Sequence, residues 1–595
     1  MIVPLPRLTL LWRPGEQISL VNEGDFVEGR FAARKFYPKP IIVQSARRTV
    51  IVVGSVILGE KIDPQQAAEL VLASKNIAAT VRGFNGQFLI LNQDGDKGSL
   101  TIISDRHTGI PFYYATHGGR VVGAFLYSDL AGYLRRASAF DLVPEHLFEF
   151  LWLQRLLMDK THDTRSRFLP AATILTFDSS GSRQCRYWRP NFTKNKKRST
   201  HEAGEAIAFG MRRSMARRTS DQSRYGLFLS GGHDSRTVLA ALPSAPLCIT
   251  VGYSDNYEVS CARKLAEVAG APFRFIQLPP DHLNQVADPA SLLCGGLYSI
   301  DHALFLGLND AVSPDADVVF HGHGIDYMYQ GMYLPAKHLT IAGRPMFFRQ
   351  LTPLSGDLAS AFNNEIPFRL KYVDLMLFVR PEWRSRLADH LRASAEAVLE
   401  DSRDVAATDA DRWEYFLIHA LARHFAWPNI GSMMVGTEQR TPSFDNDLFD
   451  VYLSMPPEMR VTAAALRSAQ WQLNPKLASV PTGNWGMPAS YSPLAKTAWL
   501  VGRKMLRHLT GNQRFRAPHA EDRTWPDRDT HLADEKGWQS RVAAAISDPE
   551  LESALPFLEW PLLRAKAQEW MSRPSGGASL LVELLSLQLF LKNTR

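Results

Sequence analysis

Residues 227–236 read LFLSGGHDSR, and the apolar run TVLAAL follows at residues 237–242. This pattern predicts a buried strand, a tight Ser-Gly-Gly turn and the first turns of a helix. Two glycines let the backbone approach phosphate oxygens, the hydroxyls of Ser230 and Ser235 flank them, and the helix N–H groups point at the same place. Asp234 would repel a phosphate unless a cation lay between them, so we expect it to bind Mg²⁺. The alternative is a glycine-rich turn without a ligand, which is common in doubly wound sheets.

The turn differs from two familiar nucleotide-binding motifs. It lacks the lysine of the P-loop and the spacing of the glycine-rich dinucleotide fingerprint. It resembles the pyrophosphate loop of the ATP pyrophosphatases, in which ATP is cut between its α and β phosphates. That resemblance implies that the protein adenylates a substrate and does not transfer a phosphoryl group.

The composition is that of an ordinary globular protein. The chain has 595 residues, of which 45% are hydrophobic and 21% charged, so we expect about two to four domains. The net charge of +7 is spread along the chain. Basic runs at residues 194–198 and 212–218 are typical of solvated faces, so no nucleic-acid partner is predicted.

The cysteines and the hydropathy pattern bear on location. The four cysteines have neither metal-ligand spacing nor the pattern of a disulfide framework, which favours a reducing, cytoplasmic setting. The first residues lack a basic region followed by an apolar one, and no stretch reaches about 18 apolar residues. The sequence therefore predicts no signal peptide and no membrane partner.

The chain divides into two regions of different pattern. Residues 1–190 contain short β-type runs bounded by Gly, Asp and Asn turns, and the polar, basic residues 191–200 are predicted to be a linker. In residues 201–595, strands and helices alternate around the Ser-Gly-Gly turn and then give way to a mainly helical region. This predicts a two-domain protein: an α+β domain, then an α/β domain with a parallel sheet and a helical extension.

Five segments resemble, in the right order, one family, the asparagine synthetase-like amide ligases. In chain order they are FNGQF at 84–88, SDRHTGIPFYY at 104–114, VGAFLYSD at 122–129, VVFHGHGIDYMYQGMY at 318–333 and TEQRTPSFD at 437–445. The resemblance implies an Ntn-type β-sandwich of the glutamine amidotransferase type for residues 1–190. It implies an ATP-pyrophosphatase domain, adenine nucleotide α-hydrolase-like, for residues 201–595.

Three departures from the family pattern bear on function. The family's amidotransferase domain uses a cysteine directly after the initiator Met, whereas this chain has Ile2 and no cysteine before Cys185. We therefore expect a degenerate domain that does not release ammonia and instead serves structure or substrate docking. His323 stands where the family has a catalytic Glu. The family usually has a Lys or Arg directly before the glycine that corresponds to Gly483. This chain has neither there, and Lys476 is the nearest basic residue before it.

The resemblance also assigns candidate site residues. It implies that Asp234 and Asp326 hold Mg²⁺ against the departing pyrophosphate. His323 is the candidate catalytic residue, a general base or proton relay; the alternative is a contact with phosphate or ribose, or a structural histidine. The residues expected to bind ATP or pyrophosphate are Leu229, Ser230, Gly231, Gly232, Asp234, Ser235, Val251, His321 and Gly322.

A degenerate amidotransferase domain joined to an adenylating domain is similar to two branches of the family, the β-lactam synthetases and the lasso peptide cyclases. The SGGHDSR form of the turn and the segment ASVPTGNWG at 478–486 resemble the cyclases more. This implies adenylation of an Asp or Glu side chain in a precursor peptide, followed by attack of the peptide α-amine to close a macrolactam. A leader-peptide-binding protein and a cysteine protease are the implied partners. The alternatives are a small-molecule amide or β-lactam synthetase, and a non-catalytic scaffold.

Overall fold

The computed structural model describes residues 3–21, 26–192, 198–341, 344–354, 356–366, 370, 372–418, 426–484, 486–511, 527–573 and 575–595. Ile2 and residues 193–197 of the expected linker lie outside the described residues. Within the described ranges, no helix is long and apolar enough to cross a membrane.

Two β-sheets, almost entirely antiparallel, occupy the first part of the chain. Their strands are β1 (Arg7–Trp12), β2 (Ser19–Val21), β3 (Arg30–Arg34), β4 (Ile41–Ser45), β5 (Arg48–Leu58), β6 (Lys61–Ile62), β7 (Asn85–Asp94), β8 (Ser99–Ser104), β9 (Tyr113–His117), β10 (Arg120–Ala124), β11 (Ser166–Phe168), β12 (Thr173–Asp178) and β13 (Gly181–Arg186). One sheet has the order β11-β9-β10-β1-β3-β2 and the other β13-β12-β8-β7-β5-β4, with β6 paired to β5.

Alternation along β7 shows how these two sheets pack. Leu89 and Leu91 lie in the same core cluster as Leu8 and Leu10 of β1. Residues 88 and 90 point the other way, into a second cluster with the first helix of the chain. Because successive side chains of a strand point to opposite faces, β7 is buried on both sides. The β-rich pattern of residues 1–190 thus corresponds to two packed sheets with a helix on the outer face.

A parallel sheet follows, as the sequence predicts. Its strands are β14 (Tyr225–Phe228), β15 (Leu247–Gly252), β16 (Phe273–Gln277), β17 (Val318–Phe320) and β20 (Glu438–Arg440), with a separate hairpin of β18 (Ala336–Ile341) and β19 (Arg344–Leu351). The order is β16-β15-β14-β17-β20, and all four pairings are parallel. The chain leaves β14 on one side to form β15 and returns on the other as β17. Ligands bind at such a switch point, beyond the carboxyl ends of the strands.

Helices cover these sheets and form most of the last third of the described chain. They are α1 (Pro64–Ala73), α2 (Ile77–Arg82), α3 (Tyr127–Arg136), α4 (Pro144–Leu153), α5 (Thr200–Arg218), α6 (Asp234–Ala241), α7 (Tyr257–Ala269), α8 (His282–Cys294), α9 (Asn309–Val312), α10 (Ile325–Tyr329), α11 (Leu358–Glu365), α12 (Pro381–Ser402), α13 (Asp409–Ile418), α14 (Trp427–Met433), α15 (Asn446–Leu453), α16 (Pro457–Val461), α17 (Ala464–Leu473), α18 (Pro475–Ser479), α19 (Pro493–Thr510), α20 (Arg528–Asp534), α21 (Lys536–Ile546), α22 (Pro549–Ala554), α23 (Trp560–Ser572) and α24 (Ala578–Asn593). Local signals set their ends: the α5 N-terminus carries a reciprocal Ser199–Glu202 capping box.

Polar contacts from β7 hold the segment that follows β20. Asn85 Nδ2 donates to Asp445 Oδ2 at 2.9 Å, and Thr441 N donates to Gln87 Oε1 at 2.6 Å. All four residues are buried, so these bonds are shielded from water and fix the backbone after β20. The β-sandwich thereby helps to position the edge of the parallel sheet where ligands are expected.

Candidate active site

The Ser-Gly-Gly turn connects β14 to α6 at the carboxyl end of the parallel sheet. Ser230 N donates to Ser235 Oγ at 3.0 Å, and Gly232 N donates to Ser230 Oγ at 3.2 Å. The turn also contacts the loop after α18, because Gly483 N donates to the Gly231 carbonyl at 3.1 Å. A Cβ atom on Gly231 would lie 3.0 Å from Gly483 N, so a side chain there would force the loop away.

The second predicted motif lies directly beside this turn. β17 ends at Phe320, and a Cβ atom on Gly322 would lie 2.6 Å from Asp234 Cβ and 2.7 Å from Ser235 N. The backbone at Gly324 has a φ of +91°, a conformation that glycine adopts without strain. These two glycines bring the start of α10, with Asp326, to the same place as the start of α6.

The two motifs share a cavity of about 270 Å³. Its lining residues are Phe228, Ser230, Asp234, Ser235, Phe305, His321, Gly322, His323, Asp326, Ala426, Asn429, Ile430 and Gln439. Hydroxyl, imidazole and carboxylate groups form one part of this wall, and aromatic and aliphatic side chains form another. A cavity with an apolar part and a few convergent polar groups is typical of small-molecule sites.

Most of the residues predicted from the sequence lie here. Those that line the cavity are Ser230, Asp234, Ser235, His321, Gly322, His323 and Asp326. Gly231 and Gly232 supply the backbone of the turn. Leu229 and Val251 differ, since their side chains are 2% and 4% exposed and pack in the cores on either side of the sheet. The structure does not bring these two side chains into the cavity, because each follows the strand alternation inward.

The two candidate metal ligands repel each other. The pKa of Asp234 is raised well above its usual value, first by burial and then by the charge of Asp326. Burial also raises the pKa of Asp326 to about 6. Asp234 Oδ1 accepts one hydrogen bond, from Gln330 Nε2 at 2.7 Å. Two buried carboxylates that disfavour each other's ionised form are what a divalent cation would stabilise.

The donor set therefore fits Mg²⁺ bound together with a phosphate ligand. Proteins commonly hold this ion by one or two carboxylates and let substrate phosphates supply further oxygens. In the described part of the chain, His, Cys, Asp and Glu side chains nowhere form a group of three or more arranged for a metal ion. Asp234 and Asp326 would thus supply only part of a ligand set, which the phosphate oxygens of a nucleotide would complete.

Two histidines of the second motif face the cavity in different surroundings. His321 Nδ1 accepts the His323 backbone N–H at 3.4 Å, and its Nε2 lies 3.1 Å from Thr441 Oγ1. Burial lowers the pKa of His323 to about 4, and its ring is edge-on to Phe444 at 5.8 Å between centroids. His323 is therefore neutral at pH 7 and can accept a proton, although it is a weaker base than a solvated imidazole.

Positive charge surrounds the residue before Asp234. The pKa of His233 is lowered to about 3, first by burial and then by the charges of Lys496, Arg236 and Arg467. Burial and the charge of Arg467 in turn lower the pKa of Lys496 to about 8. Cations beside the N-terminus of α6 add to its positive end, so this side of the turn favours an anion.

Two basic residues, Lys476 and Arg236, lie near the loop after α18. Lys476 is exposed on α18 and does not line the cavity. Arg236, which the sequence reading did not single out, is fully buried. Its guanidinium donates to the carbonyls of Leu477 and Pro481 at 3.0 Å each and of Gly231 at 3.3 Å. Arg236 thus ties the loop to the turn through several backbone acceptors.

Sequence reasoning missed the apolar wall of the cavity. Phe228 and Phe305 have ring centroids 4.3 Å apart with planes inclined by 30°. Asn429 Oδ1 accepts the Phe305 N–H at 3.0 Å and so fixes the backbone at that ring. Gln439 is 3% exposed, and its Oε1 has no hydrogen-bond partner among the described residues. Phe228 and Gln439 lie in sequence motifs, at 227–236 and 437–445. Phe305 and Asn429 lie outside every motif, so the sequence pattern does not indicate that they line the cavity.

Comparison with protein families identifies the part of the chain that carries this cavity. Residues 207–475 match the family model described as asparagine synthase. This segment is similar to the asparagine synthase family and makes up less than half of the chain. It contains all the strands of the parallel sheet, both motifs and all the cavity residues. The resemblance seen in the sequence is therefore supported for the second half of the chain at the level of this family.

The other comparisons add less. No curated protein matches. Among solved structures, the glutamine phosphoribosylpyrophosphate amidotransferase from B. subtilis, complexed with ADP and GMP, is 11% identical with a TM-score of 0.17 over 40% of this chain and 48% of that one. A structure titled as the allosteric regulatory enzyme of purine biosynthesis is 9% identical with a TM-score of 0.19 over 40% and 62%. The NH3-dependent NAD synthetase from Campylobacter jejuni, with nitrate ion, is 15% identical with a TM-score of 0.16 over 33% and 96%.

The match thus spans less than two thirds of the length of the first two of these structures. Because all three TM-scores are low, the description of the fold rests on the strand order of this chain.

Proposed function

We propose that this chain is an ATP-dependent, AMP-forming amide ligase that closes a macrolactam ring in a ribosomal precursor peptide. The asparagine synthase-like domain supports ATP-dependent amide formation in general. The observation that carries the proposal is that the Ser-Gly-Gly turn, Asp234 and Asp326 line one cavity. Hydroxyls, a helix N-terminus and two mutually repelling carboxylates suit a magnesium-bound triphosphate.

The cavity suggests an orientation for ATP. The triphosphate would lie over the N-terminus of α6, between the hydroxyls of Ser230 and Ser235. The adenine ring would lie against the Phe228 and Phe305 rings, which offer a flat apolar surface. The Gln439 Oε1, which has no partner among the described residues, would accept a hydrogen bond from the adenine amino group.

In the first step an Asp or Glu carboxylate of the peptide attacks the α-phosphorus, and the bond to the β-phosphate oxygen breaks. The products are the acyl-AMP and pyrophosphate. Mg²⁺, when bound, would neutralise the charge on the departing pyrophosphate. Asp234 and Asp326 would hold that ion, and Gln330 orients the Asp234 carboxylate through its 2.7 Å hydrogen bond. The hydroxyls of the turn donate to the same developing charge.

In the second step the peptide α-amine attacks the acyl carbon, and AMP leaves. The amine must lose a proton, and the neutral imidazole of His323 can take it. The chain has no cysteine before Cys185, which favours an amine from the substrate over ammonia released from glutamine. A free α-amine inside a precursor requires removal of a leader, which favours a leader-binding protein and a cysteine protease as partners. Ring closure then depends on holding amine and acyl carbon together, worth about 7–11 kcal/mol in well-oriented reactions.

The test measures adenylation and the nature of its substrate separately. The full-length protein is incubated with ATP, Mg²⁺ and hydroxylamine, and with one of three substrates: aspartate, a β-amino acid, or a synthetic peptide that begins with Gly and has an Asp or Glu several residues later. Hydroxylamine traps an acyl-adenylate as a hydroxamate. A parallel reaction without hydroxylamine is examined by mass spectrometry for loss of one water from the peptide.

We expect a peptide hydroxamate, stoichiometric AMP and the dehydrated peptide. A hydroxamate of aspartate or the β-amino acid, without one from the peptide, would replace this proposal with a small-molecule amide or β-lactam synthetase. If neither AMP nor pyrophosphate forms with any substrate, even with the leader-binding protein and the protease present, the chain is a scaffold and not a ligase.

A further inference from the structure

A second cavity, of about 180 Å³, lies away from the candidate active site. Its wall includes Arg106 and His107 after β8, Trp188 and Arg189 after β13, and Phe449 on α15. None of its lining residues belongs to the cavity beside Asp234. His107 stacks on Phe444 at 4.8 Å between centroids, and Phe444 in turn contacts His323. Phe444 thus contacts one wall residue of each cavity, His107 and His323.

Buried hydrogen-bonding groups in this second wall have no partner. Among the described residues, Arg106 Nε, His107 Nε2 and Arg189 Nε are buried without a hydrogen bond. His107 is 4% exposed, and burial lowers its pKa to about 3, so it is neutral at pH 7. Native proteins leave few buried polar groups unpaired. Several such groups in one cavity indicate a ligand with hydrogen-bond acceptors.

The charge of Arg106 is the least neutralised in this cavity. Arg186 Nη1 lies 2.7 Å from Asp401, and Arg189 Nη1 lies 2.9 Å from Asp404. Arg106 Nη1, in contrast, lies 3.9 Å from Asp450, and its Nη2 makes only a long bond of 3.4 Å to a carbonyl. Its guanidinium carbon lies 4.8 Å from the centroid of the Trp188 ring. A cation–π contact of this kind orients the guanidinium and leaves its donors for an acceptor.

The balance of charge and apolar surface defines the ligand. Three arginines and two aspartates line the cavity. Asp401 pairs with Arg186 and Asp404 with Arg189, so Arg106, 3.9 Å from Asp450, keeps the most donor capacity for a ligand. A single carboxylate suits one such cation, whereas a phosphate dianion would also meet the carboxylates of Asp159 and Asp401. The remaining wall includes Phe168, Met158 and the Trp188 ring, which suit an apolar group next to the anion.

From this geometry we propose that the second cavity binds a carboxylate that stands next to an apolar or aromatic group, with Arg106 as its main partner and Trp188 beneath its apolar part. A free organic acid and the carboxyl end of a peptide offer the same chemistry. The second cavity shares no lining residue with the cavity proposed for ATP. Binding here can therefore be measured without ATP and without turnover.

The experiment follows the indole signal of Trp188 by nitrogen-15 NMR of the full chain labelled at tryptophan, with the signal assigned through Trp188→Phe. The probes are phenylacetate and N-acetyl-alanyl-phenylalanine, each compared with its neutral amide. The variants are Arg106→Gln, Arg106→Lys, and Arg183→Gln as the matched control. Arg183 lies on β13 near the cavity, but its side chain is 69% exposed and does not line it.

We expect a saturable shift of the Trp188 signal with at least one of the acids. The neutral amide should bind about 30-fold more weakly to the unaltered chain, and the acid about 30-fold more weakly to Arg106→Gln, because a buried charge pair loses one partner in each case. Arg106→Lys should bind with intermediate affinity, and Arg183→Gln should bind as the unaltered chain does. Which acid binds more tightly identifies the source of the carboxylate. Equal binding of acid and amide, unchanged binding in folded Arg106→Gln and Arg106→Lys, or no saturable shift with either acid would overturn the proposal.

Discussion

Gly322 lies against Asp234 so closely that a Cβ atom at position 322 would be 2.6 Å from the Asp234 Cβ. The turn after β14 and the turn after β17 are more than 80 residues apart in the chain, yet they contact each other through backbone and Cβ atoms. The position of the Asp234 carboxylate relative to the Asp326 carboxylate depends on this contact. It therefore couples the packing of the sheet edge to the chemistry of the cavity.

The first prediction concerns Gly322→Ala. The added methyl group must push α6 away, and overpacking of this kind costs roughly 1–3 kcal/mol. We expect ATP–pyrophosphate exchange to fall about 10- to 100-fold, since each 1.4 kcal/mol corresponds to about ten-fold in rate. Gly502→Ala is the control, because position 502 lies within α19 and has no atom within 4 Å of an added Cβ. That variant should keep full exchange, and an equal loss in both variants would contradict the role of the contact.

The second prediction concerns Asp234→Asn. Because burial and Asp326 together raise the pKa of Asp234, the neutral amide removes a repulsion in metal-free protein. We expect an unfolding temperature in EDTA equal to or above that of the unaltered chain, together with a loss of exchange of at least about 100-fold, since metal stabilisation is worth several kcal/mol. Asp255→Asn, at an exposed carboxylate paired with Arg263, should change neither quantity. A destabilised Asp234→Asn protein in EDTA would show that the carboxylate is structural.

The sequence was sufficient to predict the polar part of this cavity, for a physical reason. Ser230 and Asp234 follow a buried apolar run, and the resemblance to the ligase family added Asp326. The carboxyl ends of neighbouring parallel strands meet at one edge, which places these residues together. The turn residues that such an edge requires are small or polar and recur in fixed local patterns. The β-rich first region and the parallel sheet were predictable from periodicity for the same reason.

The apolar part of the cavity could not be predicted in this way. Phe305 lies in an irregular segment and Asn429 on the short helix α14, and nothing local distinguishes them from core residues. Conversely, Leu229 and Val251 were expected at the ligand on the family pattern, and the strand alternation turns both side chains into the core. A side chain at the end of a strand can face either the ligand or the core. Tertiary packing decides between the two, and a single sequence does not reveal it.

The third prediction separates the two roles weighed for His323. In His323→Ala, a general base for the α-amine would be lost, so ring closure should fall by about 100-fold or more, within the usual range for general base catalysis. ATP–pyrophosphate exchange should change little, because adenylation needs no amine. AMP release and the formation of dehydrated peptide are measured in the same reaction at a fixed pH.

A different result would assign His323 otherwise. If exchange and ring closure fall by the same factor, the imidazole contacts phosphate or ribose in the first step. His323→Gln then provides the control, since an amide can replace a hydrogen bond to ATP but cannot accept the proton at neutral pH.

The fourth prediction concerns stability and pH. Glu149 on α4 is fully buried, and it accepts hydrogen bonds from Lys160, His390 and Ser394 as well as from the Leu157 N–H. Burial alone would raise the pKa of Glu149, but the charge of Lys160 and the bond from His390 outweigh it and hold the pKa below its usual value near 4.5. The cluster therefore stabilises the fold above that pH, and its contribution is lost as the pH falls toward the lowered value.

We expect Glu149→Gln to lower the free energy of unfolding at pH 7 by about 3 kcal/mol, as when one partner of a buried ion pair is removed. Below pH 4.5 the unaltered chain loses stability more steeply than the variant, by at most about 1.4 kcal/mol per pH unit. A difference of about 3 kcal/mol therefore closes only about two units lower, so the two urea unfolding curves should converge below about pH 3. Glu267→Gln, at a side chain that is 68% exposed, should follow the unaltered chain throughout. Parallel pH profiles for the unaltered chain and Glu149→Gln would mean that folding does not shift the pKa of Glu149, so that Lys160 and His390 do not outweigh its burial.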